Sequence, residues 1–462
     1  MSSQETKELR LDDMVFNRRG TFVRRLVHSL ISISLRLFFR RIETLNASNV
    51  PYAGPLIFVM NHPNGLIDPG LVFVALPRKV SFLAKSTLFR IPVLRTILRI
   101  VEALPVFRRI DDADVSRNQT TFHASHELLK RGGAIALFPE GVSHNSPKLL
   151  PIKTGAARIA LGAISGFKNK IELRIVPVGL FYTNKTRFRS EALLLFGKPI
   201  EVEPVEIFED GDPSRDEVRK LTERISEALK QVTVNSESAA EIESANEAAN
   251  LFLSVTETLD LEEPLAARFE FVRRYLGDPG SNRSETPESS EITSRVSDYK
   301  KKLRQLGLEP ENLSLSKHPF WYVFQHFVLR IVALILVLPL SVPGFLIHLP
   351  AYQIGAFLAR RFTRHGADDI VSTVKIISGI VLMPLTWLIV SVTVGFYFGL
   401  TLGIAALPAT AIGGYAAMRS LEAVTDLRGW FRAVLLFFRR RDLFLDLLIE
   451  RRELHRSLNS RN

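Results

Sequence analysis

The 462-residue chain contains no cysteine. That absence excludes disulfides, thiolate nucleophiles, Cys-based zinc sites and iron–sulfur clusters, and it fits a reducing compartment. A signal-peptide pattern is missing too: the N-terminus opens on the polar stretch SSQETKELRLDD, and no apolar run leads to a small-residue cleavage site. No internal repeat is visible. Between Met14 and Arg41 there are seven Arg and no acid, whereas Gln231–Ala267 carries eight acids and no base. Two segments hold no Lys, Arg, Asp or Glu at all: Ile331–Ala359, of 29 residues, and Ile376–Met418, of 43.

The residues present narrow the class. Lys+Arg number 60 against 48 Asp+Glu, a net charge of +12 that favours phosphate-bearing partners. Hydrophobic residues make up 46% and Gly and Pro stand at 26 and 24, which excludes a disordered or collagen-like chain. The mean hydropathy of +0.12 places a lipid bilayer ahead of nucleic acid as partner. The basic residues flank apolar segments and lack an interleaved aromatic recognition motif, so nucleic acid is not expected. The length exceeds one ordinary domain of roughly 100–200 residues.

Phe22, Leu26, Leu30, Ile33 and Leu37 recur at helical spacing, and the uncharged part of that helix is too short to cross a hydrocarbon core of about 20 residues. Residues 1–44 therefore read as a basic amphipathic helix on an anionic membrane surface, or as a surface helix packed on its own domain. At ~1.5 Å per residue, the 43-residue run can cross a ~30 Å core twice with a tight connection. The 29-residue run, with Pro339, Pro343 and Pro350, suits one tilted span or a Pro-broken re-entrant hairpin. Basic flanks at Arg330, Arg360, Arg361, Lys375 and Arg419 assign one cytoplasmic face to all these ends, favouring hairpins or an even number of crossings. The tail RRRDLFLDLLIERRELHR reads as another interfacial basic helix.

Between these ends, apolar runs at Leu56–Met60, Val80–Leu83, Ala103–Phe107, Ala134–Phe138, Leu173–Val178 and Ala192–Phe196 alternate with helical stretches, clearest at Arg117–Lys130 and Gly155–Ser165. This alternation predicts an α/β fold with a mixed, largely parallel sheet flanked by helices. It occupies residues 45–203. A helical region with an acidic stretch and a linker at Asp278–Ser294 follows over 204–317, and a hydrophobic region of membrane helices or hairpins with a basic C-terminal helix over 318–462.

Polar residues cluster just past the strand runs, where open α/β sheets place their sites. After LIFVM comes Asn61-His62-Pro63-Asn64-Gly65-Leu66-Ile67-Asp68-Pro69. Six residues turn through about 600° in a helix, so His62 and Asp68 meet only if Pro63 and Gly65 make a turn. A carboxylate accepting one ring N–H would leave the other nitrogen as a general base; alone, the pair equally fits a structural turn. After AIALF comes Phe138-Pro139-Glu140-Gly141-Val142-Ser143-His144, then Leu150-Pro151-Ile152-Lys153-Thr154-Gly155. Lys153, before a helix start, suits a phosphate. Arg108 and Arg109 end the run Leu104–Phe107, where an Arg offers a bidentate phosphate clamp or is simply a solvated charge.

The ordered set Asn-His-(x)5-Asp-Pro, Pro-Val-x-Arg, Phe-Pro-Glu-Gly-x-Ser-His, Leu-Pro-(x)-Lys-x-Gly and Val-Pro-Val-Gly resembles the motif blocks of the phospholipid/glycerol acyltransferase superfamily. SHNSPKLLPIKTGAARIALG, GLFYTNKTRFRSEALLLFGKPIEV and the stretch starting at Tyr299 are similar to the fungal-type glycerol-3-phosphate/dihydroxyacetone-phosphate acyltransferases. The resemblance covers roughly residues 45–315 plus the hydrophobic C-terminus. It implies His62 as general base, Asp68 as its orienting carboxylate, Arg108, Glu140, Gly141, Ser143 and Lys153 toward the phosphorylated acceptor, and Pro177 toward the acyl-donor site. Val142 and Asn145 depart from the Gly and Asp common at their positions.

The function so implied is a membrane-bound acyltransferase, its site facing the cytoplasm, with no metal and no bound cofactor. It would move a fatty acyl group from an acyl thioester, carried by coenzyme A or acyl carrier protein, to a hydroxyl of glycerol 3-phosphate or dihydroxyacetone phosphate. Three alternatives stand beside it: a 1-acylglycerol-3-phosphate acyltransferase; a hydrolase built on Ser143 and His144, which lacks a Gly-x-Ser-x-Gly elbow; and a non-catalytic membrane-shaping protein, against which the intact His62, Asp68, Arg108 and Glu140 argue.

Overall fold

The computed structural model describes residues 6–8, 20–76, 78–111, 113–165, 172–206, 213–253, 264–277, 287–308, 320–363 and 368–459. It divides into two compact units: residues 1–237 with 362–376, and residues 238–361 with 377–462.

The first unit is an α/β domain. In chain order it contains β1 (Thr6–Glu8), α1 (Phe22–Phe38), β2 (Phe39–Leu45), β3 (Leu56–Met60), α2 (Ile67–Ala75), β4 (Val80–Lys85), α3 (Pro92–Ile100), β5 (Leu104–Val106), α4 (Asn118–Lys130), β6 (Ala134–Leu137), α5 (Gly155–Ser165), β7 (Leu173–Tyr182), β8 (Ser190–Phe196), β9 (Ile200–Val202) and α6 (Arg215–Val232). The strands form one sheet in the order β1-β2-β8-β7-β3-β6-β4-β5, with β9 also paired to β7. β3 lies between β6 and β7, parallel to both, and β4 is parallel to β6 and β5. β8 runs antiparallel to β7 and parallel to β2. The sheet is thus mixed and largely parallel. The central strands β3 and β6 are apolar along their whole length because both faces are covered, and every residue in them is buried.

The alternating pattern misses β2. FRRIETL reads as the end of a basic helix, yet it pairs with β8, and its Arg41 bonds Glu43 and Glu191 at 3.2 Å each. Those arginines serve the sheet, not a headgroup layer.

α1 begins with the Thr21 hydroxyl capping Arg24 N–H and packs inward through Arg24, His28, Ser32, Leu35 and Phe38. Its apolar stripe points the other way: Phe22, Leu26, Leu30, Ile33 and Leu37 are all exposed. Burial holds the Arg24 guanidinium below its ordinary pKa, and the group is satisfied by the carbonyls of Ile100 and Val80 at 3.2 and 3.1 Å.

The second unit is helical: α7 (Ala239–Leu253), α8 (Leu265–Leu276), α9 (Pro287–Leu306), α10 (Phe320–Thr363), then most of α11 (Asp368–Phe398), α12 (Leu400–Arg439) and α13 (Arg441–Asn459). The linker expected at Asp278–Ser294 lies partly outside the described residues, and helix α9 already begins at Pro287. Among the described residues, three helices are long and apolar enough to cross a membrane: Phe327–Arg361, Val371–Phe398 and Leu400–Arg439. The 43-residue uncharged run folds back at Gly399, whose φ of +96° interrupts the helix, so that Ser391 Oγ reaches the carbonyl of Gly403 at 2.7 Å. The 29-residue run is not a broken hairpin. α10 continues through Pro339, Pro343 and Pro350, and it packs closely where Gly344 meets Gly413 and Trp387 Nε1 donates to His348 at 2.8 Å.

The basic tail also differs from its sequence reading. In α13, Phe444, Leu447 and Leu454 are buried in a cluster with Val296, Tyr299 and Leu303 of α9. Its apolar stripe is consumed by protein packing, and Tyr299 Oη donates to the Leu447 carbonyl at 3.0 Å.

Candidate active site

Sheet register decides which loops meet. Val59 is opposite Leu137 in the parallel β3/β6 pair, so the chain segments leaving these strands, one carrying His62 and the other Glu140, start side by side. Lys85 is opposite Val106 in the β4/β5 pair, which brings the lysine alongside the segment bearing Arg108. All of them leave the carboxyl edge of the sheet. Asn61 extends the order by one step: its side chain donates to Leu180 O at 3.1 Å and accepts Leu180 N–H at 2.7 Å, as a strand partner would.

The turn at Pro63 and Gly65 does bring the dyad together. His62 Nδ1 lies 2.8 Å from Asp68 Oδ2. Asp68 sits in the first turn of α2, where a carboxylate is favoured by the helix dipole. It is 0% exposed, and its charge is met by three donors: His62 Nδ1, the Asn64 backbone N–H at 2.7 Å and Tyr182 Oη at 2.5 Å. An ionised carboxylate only accepts, so the imidazole donates from Nδ1, and in the neutral ring Nε2 is the nitrogen that accepts. Phe138 stacks on the ring at 4.0 Å between centroids. Burial first, and the Asp68 charge second, push the Tyr182 hydroxyl well above its ordinary pKa, so it remains a donor at every working pH.

Glu140 is the hub of the second loop. One oxygen accepts the His62 N–H at 3.0 Å; the other meets His144 Nε2 at 2.5 Å and the Leu150 N–H at 2.8 Å. Its carboxylate is buried and turned into the protein, so its contacts tie loops together. Both ring nitrogens of His144 are engaged, Nε2 by Glu140 and Nδ1 by the Ser146 N–H at 3.1 Å. Those two contacts occupy the lone-pair positions of the His144 ring beside half-buried Ser143. Asn145 accepts from Lys185 Nζ at 2.5 Å.

Cations gather beside this loop. Arg108 grips Asp111 through Nε at 2.6 Å and Nη2 at 2.9 Å, while Nη1 donates to the Gly141 carbonyl. Gly141 has φ of +76°, and a Cβ there would collide with the Lys153 side chain, so the position takes glycine on both counts. Lys85 Nζ is 3.9 Å from Asp111. The hydrogen bond from Arg108, and the charges of Arg108, Lys85 and Lys153, hold the Asp111 carboxyl below the usual range. Three cations against one carboxylate leave a local charge of about +2, the match for a phosphate dianion.

Pro177 does not join this group. It is buried in β7 opposite Val59, and its carbonyl accepts the Gly197 N–H at 2.8 Å. Tyr182, Asp111 and Lys85 escape the sequence reading. Lys85 ends the Val80 run and was open to the same strand-end rule that finds Arg108; Tyr182 is 114 positions from Asp68 and carries no local signal.

Residues 41–180 match the family model described as Acyltransferase, and residues 264–460 match that of the Glycerol-3-phosphate acyltransferase 2 C-terminal domain. The chain joins the two. It is similar to Glycerol-3-phosphate O-acyltransferase 2 of Saccharomyces cerevisiae, 30% identical over 64% of this chain and 40% of that one. It is also similar to Glycerol-3-phosphate O-acyltransferase 1 of the same yeast, 28% identical over 60% of this chain and 37% of the relative. The chain thus spans well under half the length of these two relatives. A solved structure, the 1-acyl-sn-glycerophosphate acyltransferase PlsC from Thermotoga maritima, is 20% identical with a TM-score of 0.33, covering 46% of this chain and 84% of that chain.

Proposed function

We propose that this protein transfers a fatty acyl group from an acyl thioester to a hydroxyl of glycerol 3-phosphate, or of dihydroxyacetone phosphate, without a covalent enzyme intermediate. The observation that carries the reading is the His62–Asp68 pair, its outer nitrogen the acceptor of the neutral ring, on the same sheet edge as Arg108, Lys153 and Lys85. Similarity to two yeast proteins named for this activity supports the choice of acceptor.

In this mechanism His62 Nε2 takes the proton of the acceptor hydroxyl as its oxygen attacks the thioester carbonyl. The thiol leaves with a proton returned from the imidazolium, so the enzyme ends as it began. General-base help of this kind contributes ~10²–10⁴-fold. Asp68 and Phe138 hold the ring against rotation. The cations fix the acceptor phosphate, so that remote binding energy orients the reacting hydroxyl. Glu140 and Gly141 act on the acceptor through the loop they shape, and Ser143 lies on that loop.

The acyl chain would be drawn from the bilayer. The outward stripe of α1 would lie at the membrane surface with Arg25 at the headgroups, and the apolar helices would cross the bilayer, with the site on the cytoplasmic side. The test is incorporation of labelled acyl donor into glycerol 3-phosphate, dihydroxyacetone phosphate and a lyso acceptor in parallel, with wild type and His62→Ala. Transfer to glycerol 3-phosphate that disappears in His62→Ala is the expected result. Preference for the lyso acceptor would shift the assignment to the second acylation step, and full activity of His62→Ala would overturn the mechanism.

A further inference from the structure

The head of α11, residues 368–376, belongs to the α/β unit. Three polar side chains there are aimed at the loops around His62. Thr373 Oγ1 accepts the backbone N–H of Leu66 at 3.2 Å. Ser372 Oγ donates to the carbonyl of Lys185, the same oxygen that receives Asn64 Nδ2 at 3.1 Å. Lys375 Nζ donates to the carbonyl of Thr186 at 2.6 Å. Ser372 and Thr373 are buried, and Ile376 packs against the core cluster of the sheet.

This use of hydroxyls differs from that at Thr386 and Thr410. Thr386 and Thr410 bond back to the carbonyls four residues earlier, Leu382 and Ala406, as hydroxyls in such helices do. Ser372 and Thr373 reach outward instead, to groups more than 180 positions away in sequence. The groups they reach bear directly on the dyad. Leu66 N–H lies in the turn leading into α2, two residues before Asp68. Asn64, tied to Ser372 through the Lys185 carbonyl, gives its own N–H to Asp68 Oδ2.

We propose that Ser372, Thr373 and Lys375 form a positioning clamp by which the head of the apolar helix α11 holds the His62–Asp68 turn in its working geometry. The inference rests on His62 being the general base. The clamp touches neither Arg108 nor Lys153, so it governs the chemical step and leaves acceptor binding alone. A buried N–H that loses its acceptor repairs itself by local movement. Displacement of the turn opens the Nδ1–Oδ2 contact, and misplacement of about 1 Å costs on the order of 10²-fold in rate.

The test uses the full chain in phospholipid nanodiscs. Thr373→Val keeps the shape and removes the acceptor; Thr373→Ser restores it; Ser372→Ala cuts the second tie. Thr373→Val should lower kcat about ten-fold or more with acceptor KM within about two-fold, Thr373→Ser should stay near wild type, and the double Ser372→Ala/Thr373→Val should fall further. Hydrogen exchange of peptides covering residues 61–69 should quicken in Thr373→Val and in Ser372→Ala, and return to wild-type rates in Thr373→Ser. An unchanged kcat, a rise in KM alone, or unchanged loop exchange in both single variants would overturn the clamp. If wild type acylates none of the acceptors, the functional reading fails by itself, and the exchange arm still decides the clamp.

Discussion

Tyr182→Phe isolates one contact at the centre of the site. It removes a single oxygen that donates to Asp68 Oδ1 at 2.5 Å, and leaves the ring in place beside Phe39, on which it stacks at 5.6 Å. Asp68 is 0% exposed, so no water replaces the lost donor and the carboxylate becomes a stronger acceptor toward the imidazolium. A hydrogen bond to a charged group is worth about 1.5–3 kcal/mol. If roughly half of that reaches the His62–Asp68 contact, the proton-bound form of the site gains about 1 kcal/mol, and a tenfold change in proton concentration is worth ~1.4 kcal/mol. The acid limb of kcat/KM should therefore move about one pH unit to higher pH, while the high-pH plateau falls by less than about ten-fold. The measurement is a pH–rate profile of wild type and variant with the same acyl donor. A limb that stays in place, or moves to lower pH, would refute the coupling from Tyr182 through Asp68 to His62. The same substitution has an alkaline consequence. The Tyr182 pKa is raised in the folded chain, so above about pH 10 the unfolded chain holds fewer protons than the folded one and stability falls as pH rises. The contribution is intact below the ordinary tyrosine pKa and is lost on the way up; Tyr182→Phe should lose that part of the alkaline slope in urea titrations.

Three further outcomes are expected. Asp111→Asn frees the fork of Arg108, so acceptor KM should rise about ten-fold with kcat within about two-fold, and Asp111→Glu should recover part of it, as steady-state kinetics would show. Glu140→Gln keeps the shape but weakens the tie to the His62 N–H, the Leu150 N–H and His144; a loss of about 3 kcal/mol or more in denaturant unfolding is expected, whereas a substrate-only role for Glu140 would leave stability untouched. Paired Leu26→Asp and Leu30→Asp substitutions on the outward face of α1 should weaken binding to anionic vesicles of an α/β-unit variant lacking the apolar helices, without altering its melting temperature, as flotation and calorimetry would report.

What could be read from the chain alone follows from where each constraint sits. β3, β6 and α5 were legible because two-sided burial writes itself as an unbroken apolar run or an amphipathic repeat, and Gly155–Ser165 agrees to the residue. The strand-end rule then found His62, Glu140 and Arg108, since those positions depend only on local order and on register between neighbours. β2 was illegible because its charges are answered by Glu191, about 150 positions away, and a charged strand resolved by a remote partner looks like a solvated helix end. For the proline-bearing helix α10 the sequence leaves a single span and a broken hairpin side by side, for the converse reason. Proline breaks helices in water, but within an apolar bundle neighbouring backbone at Gly413 and polar bridges such as Trp387 to His348 support the continuous form.

The same division explains the dyad itself. His62 and Asp68 lie within one turn and could be paired from sequence, yet the groups that make the pairing rigid come from residues 182 and 372–375, at the far end of β7 and the head of α11. A six-residue turn with a glycine in it has many conformations of similar energy, and each lost degree of backbone freedom costs about 1–2 kcal/mol. Local sequence therefore specifies which groups meet, while remote buried hydrogen bonds specify that they stay met. In the proposed mechanism a base whose partner wanders by an ångström loses most of its advantage, so Tyr182→Phe and Thr373→Val should each cost activity although neither residue lies in a recognisable motif.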